Sequence, residues 1–311
     1  MAPNVVLVTG VADQLAGRLA GRLAANPGIE RVLGMDTRPP TGGLPPRVEF
    51  VAADIRDRRI AKVIDSGKVD TVVHAALRAS VGPQRAGIKE RNVIGTMQLL
   101  AACQRLPRVR KLVVKSTAEV YGAGASAPAV FTENDPPAGG RGQEAAELEG
   151  LVSGFARRRP DVTLTIVRLA ELIGSGVDTA LDRYFRLPVV PTVLGFDARV
   201  QLLHPDDAVD VLERATMHDL PGTFNVGGDG VILLSQAIRR AGRVPLPMPR
   251  AAIPAATRLV RGAAPVHFSP DLRRLLNYGR VIDTSRLKTT FGYTPKWSTA
   301  DAFNDYVRRS R

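Results

Sequence analysis

Short apolar runs rich in β-branched residues recur along the first half of the chain, and each is followed by a stretch whose apolar positions fall every three or four residues. Residues 4–10 (NVVLVTG) read as a buried strand. Residues 12–26 (ADQLAGRLAGRLAAN) read as a helix with Leu15, Leu19 and Leu23 on one face, stopped at Pro27-Gly28. Further strands are predicted over 31–36, 48–54, 70–76, 110–117 and 164–170, with helices over 58–66, 87–106 and 143–159, the last closed by Pro160. Strands this apolar, separated by helices, require a parallel sheet covered on both faces. Right-handed crossovers then give a doubly wound α/β sheet whose ligand crevice lies at the carboxyl ends of its strands.

After Gly174 the pattern changes. Prolines stand at 188 and 191, and a short strand RVQLLH (199–204), a helix from Asp206 and a strand TFNVGG (223–228) follow. A Pro/Arg-rich stretch runs from Val244 to Pro270. The expected organisation is a sheet domain over residues 1–174, rejoined by segments from about 199–228, and a smaller, discontinuous lobe over most of 175–311. Residues 253–264 (IPAATRLVRGAA) are mildly amphipathic and basic, which suits either a helix of that lobe or contact with a membrane surface.

Composition narrows the class. With 311 residues, 44% of them hydrophobic, the chain can bury a full core. No run approaches the roughly 20 apolar residues of a membrane span, and a basic-then-apolar leader is not visible, so the expected compartment is the cytoplasm. The single cysteine, Cys103 in LLAACQ, reads as a core thiol and offers no second ligand for a metal, so no metal site is expected. The net charge of +13 rests mostly on arginine, only seven of the 43 basic residues being lysine, and eleven basic against four acidic residues fall in 251–311. Such a balance favours anionic company: phosphate-bearing ligands or lipid surfaces before nucleic acid, because no basic stretch is interleaved with base-stacking aromatics.

Several short strings share one order. Thr9-Gly10 follows the first strand, Asp36 ends the second, Asp54-Ile55 follows the third and His74-Ala75-Ala76 the fourth. Asn92 with Gly95-Thr96, the run Ser116 to Gly122, Arg168 to Gly174, His204 to Asp207, Gly222 to Gly228 and Asp283 to Trp297 complete the set. Together they resemble the extended short-chain dehydrogenase/reductases, the NAD-dependent epimerase/dehydratases of nucleotide sugars, and among these the actinobacterial UDP-glucose 4-epimerase-like proteins. The resemblance implies a Rossmann-type fold, NAD as cofactor, a nucleotide sugar or related hydroxyl- or carbonyl-bearing substrate, and a homodimer formed through the two long helices.

The residues themselves fit a dinucleotide. Gly10 permits a tight turn into a helix N-terminus, whose free N–H groups and partial positive charge suit a pyrophosphate. Asp36 is placed to accept from an adenosine ribose, favouring NAD over NADP, although Arg38 two residues on suits a 2′-phosphate. The resemblance adds Asp54 for the adenine amino group, Ile55 for the adenine pocket, Thr9, Asp13, Ala75, Ala76, Asn92 and Thr117 to the cofactor set, and Thr117 also as the residue that orients the substrate oxygen.

Four departures stand out. Asp13 and Ala16 occupy the second and third glycine positions of TGxxGxxG; Ala16 is a mild change, but Asp13 puts a charge where the backbone must approach phosphates. No tyrosine lies between Tyr121 and Tyr184, so the family's YxxxK pair is missing in either register: Gly139 and Gln143 stand in one, Arg141 and Ala145 in the other. Glu171 replaces an asparagine that contacts the substrate diphosphate. Val200 takes the place of a diphosphate-binding arginine, leaving Arg199, Arg273, Arg274 and Arg280 as candidates. Tyr121, Glu119, Glu144, Glu147 and His74 are the remaining candidate acids or bases, each with a plain structural role available.

Overall fold

Helix α1 (Gln14–Ala25) shows how the predicted pattern is realised: Leu15, Ala16, Leu19, Ala20, Leu23 and Ala24 are buried, and burying each leucine contributes about 2 kcal/mol. The helix is capped at its start by Asp13, whose Oδ1 accepts from the Leu15 N–H. The computed structural model describes residues 3–77, 85–138, 144–249, 252 and 269–310. Gly139, Arg141, Gln143 and the basic segment 253–264 lie outside them.

The chain divides into two compact units. One comprises Met1–Ser116, Glu144–Arg168 and Ala208–Phe224, the other Thr117–Gln143, Leu169–Asp207 and Asn225–Arg311. The first is built on the seven-stranded sheet of β1 (Val5–Thr9), β2 (Arg31–Asp36), β3 (Val48–Ala52), β4 (Thr71–His74), β5 (Lys111–Thr117), β6 (Thr163–Leu169) and β11 (Gly222–Val226). Its order is β11-β6-β5-β4-β1-β2-β3, with β3 to β5 parallel throughout. The order reverses between β1 and β4, which is where a doubly wound sheet opens its crevice. Every residue of β1 and β4 is buried, as strands covered on both faces must be. Against one face pack α2 (Ile60–Ser66), α3 (Arg85–Arg105) and α4 (Glu144–Arg158), enclosing Ile60, Ile64, Leu99, Cys103, Val152 and Phe155. α1 and α6 (Pro205–Met217) are tied by Arg22, which pairs with Asp210 and Glu213.

The second unit has its own core, in which Phe185 lies edge-on to both Tyr184 and Phe303. Its strands pair in twos: β7 (Glu171–Leu172) with β10 (Leu202–Leu203), β9 (Arg199–Val200) with β12 (Ile232–Leu233), and β8 (Val189–Val193) with β13 (Val244–Met248). The single strand expected over RVQLLH is therefore two short strands in different sheets. Gln201 divides them, donating to the Gly228 carbonyl and accepting from the Ile282 N–H, and so takes the chain from one partner to the next. Helices α5 (Ala180–Arg186), α7 (Leu234–Arg240), α8 (Pro270–Tyr278), α9 (Ser285–Thr289) and α10 (Thr299–Arg309) complete the unit. Two of the resembling strings serve as its fasteners: buried Asp207 accepts from the Tyr293 hydroxyl and from the Lys296 and Trp297 N–H groups, and His204 stacks on Trp297 at 4.2 Å.

Candidate functional site

At the carboxyl ends of β1, β2 and β4 the chain must turn away from the sheet within one residue. Gly10 does so with φ of +81°, and a Cβ there would stand 2.5 Å from the Ala76 Cα, so no other residue fits. Its N–H donates to the Met35 carbonyl at 2.7 Å. A narrow cavity of about 30 Å³ opens at this point, lined by Thr9, Gly10, Met35, Asp36, Thr37, Ala53, Asp54, Ile55, His74, Ala76, Leu77, Arg91 and Asn92. Seven residues expected to hold a cofactor thus come together: Thr9, Gly10, Asp36, Asp54, Ile55, Ala76 and Asn92. Asp13, Arg38, Ala75 and Thr117 do not line the cavity; Arg38 is exposed and Ala75 buried.

Each of the seven is fixed by a bond or a contact. Asp36 accepts from the Ala12 N–H with Oδ2 and from the Thr37 N–H with Oδ1, which joins the end of β2 to the glycine loop. Asp54 accepts from the Arg56 N–H and from its guanidinium, and those hydrogen bonds hold its carboxyl below the usual range despite partial burial. Ile55 packs on α3 at Gly95, where a Cβ would come 2.3 Å from the Ile55 side chain. Asn92 donates to Glu144, which ties α3 to α4.

His74 closes the floor. Its Nδ1 lies 3.1 Å from the Thr9 hydroxyl and its Nε2 2.9 Å from that of Thr96, and Thr9 Oγ1 also accepts from the Ala76 N–H. Burial, with Lys115 adding positive charge nearby, pushes its pKa down to about 3, so the ring is neutral and is a positioning residue for the loop. Arg91 and Arg56, near or on Asp54, were not expected; no motif distinguishes them from the other arginines. The buried pair of Glu149 and Arg168 was also unforeseen: Arg168 meets the carboxylate through Nε at 3.1 Å and Nη2 at 2.6 Å, and the Ser116 hydroxyl donates to Oε1 at 2.5 Å. Of the remaining candidate acids in this unit, Glu147 pairs with Lys89 at 2.9 Å and Glu144 accepts from Asn92.

The second unit holds the other candidates. Thr117 is half-buried and accepts from the Glu119 N–H, capping a 3₁₀ turn over Ala118–Tyr121. Tyr121 is buried, stacks on Phe131 at 4.9 Å and donates to Asn225 Oδ1 at 2.7 Å. Glu171 is the partner of Arg280, whose Nη1 reaches it at 2.9 Å while Nε donates to the Gly122 carbonyl. Burial raises the Glu171 pKa and Arg280 opposes the rise. Arg280 is therefore charge-compensated from within the chain. Arg199 is exposed and donates to the Ala129 carbonyl. Arg273 and Arg274 line a larger cavity of about 290 Å³ with Tyr184, Pro191, Thr192 and Asn277 among its walls. Among the described residues no three His, Cys, Asp or Glu side chains are grouped to hold a metal ion, and no helix is long and apolar enough to cross a membrane.

Comparison with known proteins identifies the lineage. The model of the NAD dependent epimerase/dehydratase family matches residues 6–227. An uncharacterized protein of Mycobacterium tuberculosis is 49% identical over 316 residues, covering 98% of this chain and 84% of that protein. Among solved structures, UDP-glucose 4-epimerase of Thermotoga maritima, crystallised with UDP-glucose, superposes with a TM-score of 0.75 at 20% identity, covering 98% of this chain and 97% of that one. UDP-glucuronic acid 4-epimerase of Bacillus cereus, in complex with NAD, superposes with a TM-score of 0.74 at 20% identity, covering 98% and 99%. The two structures show a shared fold. The chain belongs to the NAD dependent epimerase/dehydratase family.

Proposed function

We propose that this protein binds NAD in its sheet-bearing unit and acts on a nucleotide sugar, by a proton route other than the tyrosine–lysine pair. The convergence of Gly10, Asp36, Asp54, Ile55 and Ala76 on one cavity carries the cofactor reading. Asp36 would take the adenosine ribose, with Asp54 and Ile55 at the adenine. NAD, when bound, supplies a hydride acceptor. Thr117 is the residue left to orient a substrate oxygen, and the Arg273 cavity is the candidate for the nucleotide-sugar diphosphate. α3 packs on α4 and leaves Met97 51% exposed, which supports a homodimer through these helices; a monomeric mass at micromolar concentration would count against it.

A second reading, a non-catalytic sensor of NAD or of a nucleotide sugar, is favoured by the absence of tyrosine between 121 and 184 and by the internal compensation of Arg280. Titration with NAD and NADH, followed by thermal midpoint and reduced-cofactor fluorescence, tests both. Saturable binding with slow interconversion of UDP-sugars supports the first reading, and saturable binding without turnover supports the second. No binding of NAD, NADH or UDP-sugars at millimolar concentration would defeat both.

A further inference from the structure

The loop after β1 bears on which adenosine ligands the cavity accepts, and the acceptors of five of its backbone N–H groups, from Gly10 to Asp13 and Leu15, are defined. The N–H groups of Gly10 and Val11 go to the Met35 carbonyl, that of Ala12 goes to Asp36 Oδ2, and that of Asp13 goes to the Gly10 carbonyl. The Leu15 N–H, in the first turn of α1, goes to Asp13 Oδ1 at 3.0 Å. A diphosphate at this helix end needs such first-turn donors unclaimed and no negative charge beside them. Here one donor is claimed by a carboxylate that carries the charge itself. Asp13 is in extended backbone with φ of −77° and ψ of 136°, the ordinary geometry of a capping residue, so nothing strains it off the helix.

We propose that Asp13 is a built-in anionic occupant of this loop, so that the adenosine cavity discriminates against ligands bearing a 5′-diphosphate and NAD enters only by displacing the Asp13 carboxylate. The proposal rests on the reading of the cavity as an adenosine subsite. Its chemical consequence is a preference among adenine ligands: adenosine or a 5′-uncharged adenosine loses nothing to Asp13, whereas ADP-ribose and NAD meet both a lost hydrogen-bond donor and a like charge.

Two substitutions separate these terms. Asp13→Asn keeps an Oδ1 that accepts from Leu15 and removes the charge; Asp13→Gly removes both and remains an acceptable cap. Calorimetric titrations of adenosine, ADP-ribose and NAD are run on the natural protein and both variants. The expected result is adenosine affinity equal within about twofold across all three, with ADP-ribose and NAD bound about tenfold more tightly by Asp13→Asn and more tightly still by Asp13→Gly. Adenosine bound by all three proteins with NAD affinity unchanged in Asp13→Asn would overturn the proposal alone, whatever the glycine variant does. Adenosine and NAD bound by none of the three would overturn the adenosine reading and the proposal with it.

Discussion

Lowering the pH from 7 to 4.5 should destabilise this protein through His74, and the size of the loss follows from its surroundings. The Thr9 hydroxyl, which accepts the Ala76 N–H, and the Thr96 hydroxyl occupy the two ring nitrogens of His74, so a neutral ring, with one donor and one acceptor nitrogen, is satisfied in place. A second ring proton would have to be buried without an anion beside it. The folded-state pKa is depressed from 6.5 to about 3, mainly by burial. Because the depressed group is a base, the unfolded chain takes up its proton near pH 6.5 and the folded chain does not until about pH 3. The contribution is therefore fully present above 6.5 and is lost as pH falls. Integrated from pH 7 to 4.5, the loss from this one group is about 2.5 kcal/mol. Urea unfolding followed by far-ultraviolet circular dichroism at both pH values, on the natural protein and on His74→Gln, isolates it, since every other titrating group is shared. The variant starts lower at pH 7, having lost a packed ring, but its stability should fall by about 2.5 kcal/mol less on acidification. Equal losses in the two proteins would refute the assignment.

Three further outcomes are expected. Gly10→Ala forces an L side chain to φ of +81° and against the Ala76 backbone, so it should lower stability by about 2 kcal/mol or more and weaken NAD binding; an unchanged thermal midpoint would contradict the geometry. Arg168→Met leaves the Glu149 carboxylate buried with the Ser116 hydroxyl but without its cation and should cost about 3–5 kcal/mol, whereas Arg168→Met with Glu149→Leu should recover most of the loss. Chemical denaturation of the single and double variants decides between these. Cys103, fully buried and with its thiol pushed up to about 12, should resist maleimide at pH 8 in the folded protein and react within minutes in urea; rapid labelling of folded protein would show that the α3 core opens.

The architecture was legible because its signal is redundant. The six expected sheet strands and the long helices each carry a period that the parallel sheet requires, and small errors at their ends, such as α3 beginning at Arg85 in place of Gly87, change nothing downstream. The short strands of the second unit lack that redundancy. Val200 and Leu202 face different partners, and the two hydrogen bonds of the Gln201 side chain mark the change. Likewise Glu149 and Arg168 lie 19 residues apart on α4 and β6, and nothing in their spacing says that a helix glutamate turns inward to meet a strand arginine.

That seven of the expected residues would meet at one cavity was legible in the sequence, but their local bonds were not, and the aspartates show why. Asp13 bonds the Leu15 N–H, Asp36 the Ala12 and Thr37 N–H groups, and Asp54 the Arg56 N–H and guanidinium. The residue type that suits a ribose or an adenine is thus also the one that ends a strand or starts a helix, because both tasks need a short side chain presenting acceptors to nearby donors. An ionised carboxylate has about four acceptor positions, so Asp36 and Asp54 can shape the backbone and still face a ligand. Asp13 differs because the donor it holds is one that an anionic ligand would need. In the proposed reading, structure and ligand binding reinforce each other at Asp36 and Asp54 and compete at Asp13, a distinction set by which N–H the carboxylate reaches.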